Sequence, residues 1–214
     1  MVEPVTDVDP ARVRSNLERI REGAGPDVEI LAATKYIRTQ DMGALAEGGI
    51  ELVGENRLQD LEEKREQWGE RFTWDFIGSL QSRKLKSILP LVRLIHSVAS
   101  ESALEQLGRH ATPDTEVLVE VNLSGEDTKS GVRKDQLASF LDEARGLGAE
   151  VRGLMTMPPL ADDPEASRPY FRELRELAQE HSLTELSMGT SQDYRVAAEE
   201  GATLVRVGSV VFGR

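Results

Sequence analysis

Cysteine is absent from the 214 residues, so a disulfide framework, a thiol nucleophile and a cysteine-ligated metal are all excluded. Histidine is scarce, and His96, His110 and His181 are too scattered to nominate a metal site. His96 is expected to end a strand in a structural role, and the other two to close helices, where positive charge suits the dipole. No apolar run approaches the roughly 18 residues that a membrane helix needs. The acidic start, MVEPVTDVDP, lacks the basic and apolar stretches of a signal peptide. Basic charge is also short: 26 Lys and Arg stand against 38 Asp and Glu, for a net charge of −12. Such a chain should repel nucleic acid and anionic membranes. The basic cluster at Arg83, Lys84 and Lys86 reads as a solvated helix face. A cytoplasmic location is expected.

What is present is an alternation. Hydrophobic residues make up 39% and charged residues 30%, ordinary for a globular chain that can bury a full core. Asp9 and Pro10 look like a helix cap and first helical residue, followed by Val13, Leu17, Ile20 and Ala24 at helical spacing. Strands are expected at 28–34, 50–54, 74–77, 91–95, 116–121, 151–155, 185–187 and 203–207. Helices are expected between them, the seventh short and closed by Gly201. Pro169 should move the start of the sixth to about Ser167.

Strands separated by single helices pair in parallel through right-handed crossovers. Eight of them predict an α/β fold, a single (β/α)8 barrel of the TIM type spanning 1–214 as one domain. The N-terminal helix would complete the outer ring where an eighth helix is missing. A doubly wound open sheet is the competing architecture.

Lys35 follows the apolar run Ile30-Leu31-Ala32-Ala33-Thr34, which puts it at the C-terminal end of strand one, where barrel chemistry is built. Apolar surroundings there would lower its proton affinity and let it attack a carbonyl; a solvated loop lysine is the bland alternative. The loops after strands seven and eight, with Ser191, Gly208 and Ser209, offer backbone N–H groups and hydroxyls suited to a phosphate. A helix cap at Ser191 and a turn at Gly208 are the structural readings. Lysine and cradle together would hold a phosphorylated aldehyde, either pyridoxal 5′-phosphate or a phosphosugar in a cofactor-free Schiff-base aldolase. Glu55 reads as an acid at a helix N-terminus, and Lys129 as a solvated loop residue. The stretch Gly-Glu-Asp-Thr-Lys-Ser at 125–130 lacks the glycine spacing of a P-loop.

Motifs in order across nearly the whole chain narrow these choices. Ala33-Thr34-Lys35, Gly54-Glu55-Asn56-Arg57, Phe76-Ile77-Gly78-Ser79-Leu80-Gln81, Val121-Asn122-Leu123-Ser124-Gly125-Glu126, Lys129-Ser130-Gly131, 153–159 and 186–213 together resemble the pyridoxal phosphate homeostasis protein family. The resemblance implies a barrel similar to the N-terminal domain of alanine racemase, with pyridoxal 5′-phosphate as a Schiff base on Lys35. It also implies Asn56 beside the cofactor, Arg206 at the pyridine nitrogen, and Ser191, Gly208 and Ser209 at the phosphate. Asp75, where histidine is expected, and Ala99, where an acid is expected, depart from the pattern.

The implied function is binding, sequestering and delivering the cofactor in vitamin B6 homeostasis, to apoenzymes that use it. Strong catalysis is not expected. A cationic arginine at the ring nitrogen weakens the ring as an electron sink. Racemisation also needs an acid–base group on each face, and Tyr36, Tyr170 and Tyr194 match no family position for the second. A weak racemase or other cofactor-dependent enzyme is the alternative.

Overall fold

Apolar runs too short for helices, bounded by glycine, proline and acidic turns, become the staves of a closed cylinder. The computed structural model describes residues 7–126 and 128–213; the acidic start at 1–6 and Asp127 of the 125–130 stretch lie outside them. Helix α1, Pro10–Ala24, opens on Asp9, whose side chain accepts from the Ala11 N–H at 3.0 Å. Eight barrel strands follow among the described residues: β1 Glu29–Ala33, β2 Leu52–Glu55, β3 Thr73–Phe76, β4 Leu94–Val98, β5 Glu116–Asn122, β6 Glu150–Met155, β7 Glu185–Ser187 and β8 Leu204–Val207. Each pairs in parallel with the next, and β8 pairs with β1, which closes the barrel. A two-residue bridge, Val132–Arg133, adds to the edge of β5 beyond the ring.

The helices are α2 Met42–Glu47, α3 Leu58–Trp68, α4 Leu85–Ile88, α5 Glu101–His110, α6 Leu137–Arg145, α7 Arg168–Glu180, α8 Tyr194–Glu199 and α9 Ser209–Phe212. As the sequence predicts, α1 completes the outer ring: it packs against α2, α8 and α9. The buried Asn16 amide donates to the Val211 carbonyl at 2.9 Å. Its stripe of Val13, Leu17, Ile20 and Ala24 is buried in the main core between strands and helices.

Period-two alternation sends alternate strand residues inward. Two smaller apolar groups fill part of the inside, Leu31, Leu52 and Leu204 with Ile77, and Leu94, Leu118 and Met155. Other inward positions are polar. Asp75, His96, Glu120, Ser187 and Arg206 are all buried there.

The fourth strand departs from expectation. It runs over Leu94–Val98 rather than 91–95, because Pro90 shapes a 3-10 turn at Leu89–Leu91. His96 is therefore mid-strand in the barrel interior and does not end a strand at the mouth. Pro169 behaves as predicted, in the first turn of α7 after a 3-10 turn at Pro164–Ser167.

Candidate functional site

Six strand ends converge on one cavity of about 420 Å³. All six residues singled out from the sequence, Lys35, Asn56, Ser191, Arg206, Gly208 and Ser209, line it. Tyr36, Met157 and Gln192 also line it, and sequence reasoning missed them as site residues. The exposed Met157 beside Pro158 and Pro159 was the available signal, since a proline pair marks an irregular loop at a strand end.

After β1 the chain turns, and the Ile37 N–H closes the turn on the Thr34 carbonyl at 2.8 Å. Lys35 stands on that turn and is exposed, with its Nζ 4.9 Å from the centre of the Tyr36 ring. The expectation of apolar surroundings is corrected: the strand's apolar run ends before the lysine, which projects from a turn. After β2, Asn56 enters the wall with its Oδ1 buried and without a hydrogen-bond partner. Gly78 makes this approach possible, because a Cβ there would overlap the Asn56 carbonyl.

On the opposite wall Ser191 does not cap the helix that follows it. Asp193 closes that turn, its Oδ1 accepting from the Thr190 N–H at 2.7 Å and the Thr190 hydroxyl at 2.9 Å. The Ser191 Oγ instead accepts from the Gly208 N–H at 3.0 Å and the Val210 N–H at 3.4 Å, which staples the loops after β7 and β8 together. Both lone pairs are then occupied, and the hydroxyl hydrogen is left to donate to a ligand. Gly189 gives the first loop its turn, at φ 91°.

Arg206 reaches the cavity from inside the barrel. Its Nη1 donates to the Ser187 Oγ at 2.5 Å and its Nη2 to the Thr156 carbonyl at 3.0 Å, with the Met157 Sδ at 2.9 Å. No carboxylate lies within ion-pair distance of it among the described residues. Burial pushes its pKa down to about 10, against the more distant charges of Glu120 and Asp193. Arginine this buried still carries its charge at neutral pH. Glu120 is held above the usual carboxylate range by burial, with the Ser130 hydroxyl donating to it at 2.5 Å and Arg206 working the other way.

Glu55 corrects another expectation. It is the last residue of β2, fully buried, and does not stand at a helix N-terminus. Lys64 of α3, also buried, donates to its Oε1 at 2.6 Å and to the Thr34 carbonyl at 2.8 Å. The Thr34 hydroxyl donates to the same oxygen at 2.5 Å. This cluster lies behind the turn that carries Lys35 and clamps its base. Lys129 pairs with Glu126 at 3.3 Å. Ala99 leaves the start of α5 to Ser100, which accepts from the Ala103 N–H at 3.2 Å. Among the described residues no group of three or more histidine or acidic side chains could hold a metal, and no helix is long and apolar enough to cross a membrane.

The profile described as alanine racemase, N-terminal domain, matches residues 8–214. The pyridoxal phosphate homeostasis protein of Aquifex aeolicus (strain VF5) is 38% identical, over 94% of this chain and 96% of that protein. Among solved structures, PipY of Synechococcus elongatus PCC7942 without PLP is similar at a TM-score of 0.85 and 31% identity, over 94% of this chain and all of that one, 100%. The same protein with PLP bound gives a TM-score of 0.82 at 29% identity.

Proposed function

This chain belongs to the family of the alanine racemase N-terminal domain, and on that premise we propose that it binds pyridoxal 5′-phosphate and serves cofactor homeostasis, without acting as a strong enzyme. One observation carries the reading. The cavity brings together an amine, two serines with their backbone N–H groups, an unpartnered buried acceptor and a buried guanidinium that has no anion of its own. A buried charge is normally paired, because taking it out of water is costly. Arg206 keeps N–H groups free on the cavity side, and an aromatic nitrogen with a lone pair is the acceptor they suit. Asn56 Oδ1 lacks a donor, which a ring substituent with a hydroxyl would supply. The set fits a phosphorylated aromatic aldehyde.

When bound, pyridoxal phosphate supplies an aldehyde that condenses with amines and a ring that accepts electrons. The chain's own residues hold it. Lys35 would hold the aldehyde through its amine, on a turn that Thr34, Glu55 and Lys64 fix from behind. Ser191 would donate its free hydroxyl hydrogen to the phosphate alongside Ser209, while Gly208, whose N–H is already given to Ser191, would let the phosphate come close to the backbone. Arg206 would donate to the ring nitrogen and so keep it unprotonated, which would hold the ring back as an electron sink. Tyr36 stands beside Lys35, its ring centre 4.9 Å from the lysine's own amine, which argues against its serving as an acid–base group on the opposite face. These features favour a carrier that binds, sequesters and releases the cofactor in the cytoplasm, with apoenzymes as recipients.

The test is borohydride reduction of the purified protein with pyridoxal 5′-phosphate, followed by peptide mapping of the parent and of Lys35→Ala. The parent should carry the reduced adduct on Lys35, and the variant should lose the yellow colour of the link. Retained colour in the variant, or an adduct on Lys129 alone, overturns the assignment.

A further inference from the structure

A continuous line of hydrogen bonds leads away from the cavity into the barrel. From Arg206 it passes to the Ser187 Oγ at 2.5 Å, then to the His96 Nδ1 at 2.8 Å. It continues from the His96 Nε2 to the Asp75 Oδ2 at 3.1 Å. Arg93 closes the line, with Nη2 on Asp75 Oδ2 at 2.8 Å and Nε on Oδ1 at 3.1 Å. Its Nη1 reaches Glu29 at the other end of the barrel, at 3.1 Å. Asp75, His96 and Ser187 are each fully buried.

Chemistry fixes the direction of every bond in this line. Arginine has no acceptor, so Ser187 must receive from Arg206. The Asp75 carboxylate only accepts, so the single proton of His96 sits on Nε2 and points at it. The His96 Nδ1 is then bare and receives the one hydrogen of the Ser187 hydroxyl. Burial pushes the imidazole's pKa down, although Asp75 pulls the other way, so the ring stays neutral and keeps one proton. A serine, a histidine and an aspartate in series also resemble an activated nucleophile. That role is closed to Ser187, because its side chain is fully buried and its lone pair already receives an arginine proton.

What the series does accomplish is orientation. We propose that Ser187, itself oriented by His96 and Asp75, is a positioning residue that locks Arg206 as a one-way donor into the cavity. The site thereby selects an aromatic nitrogen with a free lone pair over one that carries a positive charge. The inference rests on the cofactor reading above and adds to it the residues that enforce its nitrogen specificity. The Thr156 carbonyl and Met157 hold only one arm of the guanidinium. Without the serine hydroxyl the other arm is free to turn away from the ring.

The experiment compares binding of pyridoxal 5′-phosphate and its N-methyl derivative, whose ring nitrogen has no lone pair, to the full chain. The parent should prefer the unmethylated compound by about tenfold or more, the value of one hydrogen bond to a charged donor. Ser187→Ala should reduce that preference to about threefold or less, and Ser187→Thr, which keeps the hydroxyl, should restore it. A purely structural serine would weaken both ligands equally, and an unchanged preference in Ser187→Ala overturns the proposal. Should that variant fail to fold, nitrogen NMR of His96 in the cofactor-free parent decides: a proton on Nε2 supports the relay, and one on Nδ1 overturns it. A parent that binds neither compound sinks the cofactor reading instead, while the His96 tautomer still judges the relay.

Discussion

Two buried cations sit a short way apart around the barrel wall, and they are treated in opposite ways. Lys64 lies outside the wall, between β2 and α3, with Glu55 at 2.6 Å and a backbone carbonyl at 2.8 Å. Arg206 lies inside the wall, with a hydroxyl, a carbonyl and a thioether but no carboxylate. The first site is electrically closed. The second is left open toward a cavity. A charge neutralised within the protein belongs to the architecture, whereas one neutralised by nothing in the protein is held ready for a guest.

Removing Glu55 is the harshest way to test this contrast. Glu55→Leu leaves Lys64 buried with only the Thr34 carbonyl, and should cost about 3–5 kcal/mol in denaturant unfolding. A loss below about 1 kcal/mol would place Lys64 among the ordinary solvated surface charges and erase the distinction. The complementary change is Arg206→Met, which deletes a cation that nothing in the protein neutralises. Stability should then move by less than about 1 kcal/mol in either direction, since lost hydrogen bonds are offset by relief of the buried charge. Affinity for pyridoxal 5′-phosphate should fall by about tenfold to a hundredfold. A large stability loss with affinity intact would make Arg206 an architectural residue like Lys64.

The mildest probe concerns Glu120, the nearest acid on the open side. Burial raises its folded pKa above that of the unfolded chain, so the folded state holds its proton more tightly. The associated stability is fully present below the ordinary glutamate pKa and is lost as pH rises through the folded value. Glu120→Gln does not titrate, and should gain on the parent as pH rises above the ordinary glutamate pKa in urea unfolding. A gap that stays constant with pH would show that Glu120 ionises as it does in the unfolded chain.

The fold was legible wherever a strand reads as a mostly apolar run. Residues 28–34 and 203–207 found their places, as did α1 with its cap at Asp9. Strand four slipped by three residues, because the 3-10 turn around Pro90 is set by packing and not by periodicity. Six of the cavity-lining residues were legible from family motifs at strand ends, whereas Tyr36, Met157 and Gln192 were not. The relay behind them was not. Asp75, His96 and Ser187 come from three separate strands, and no local spacing brings them together. A weaker signal was present all the same. Asp75, His96, Glu120 and Arg206 each interrupt an otherwise apolar parallel strand, and a buried strand gives such residues nowhere to go but toward one another.

The seat of α1 bears on how the chain is born. Its apolar stripe finds cover partly from α8 and α9, and Asn16 bonds to the Val211 carbonyl across almost the whole sequence. Strand β1 likewise has β8 as one neighbour. Helix α1 precedes α8 and α9 in the chain, so while α2 covers one side of its stripe, the part that α8 and α9 cover stays bare until residues 194–213 have been made. Contacts of such long range are slow to form, so the growing chain passes through a stage in which a finished helix carries a sticky face and waits for its other half.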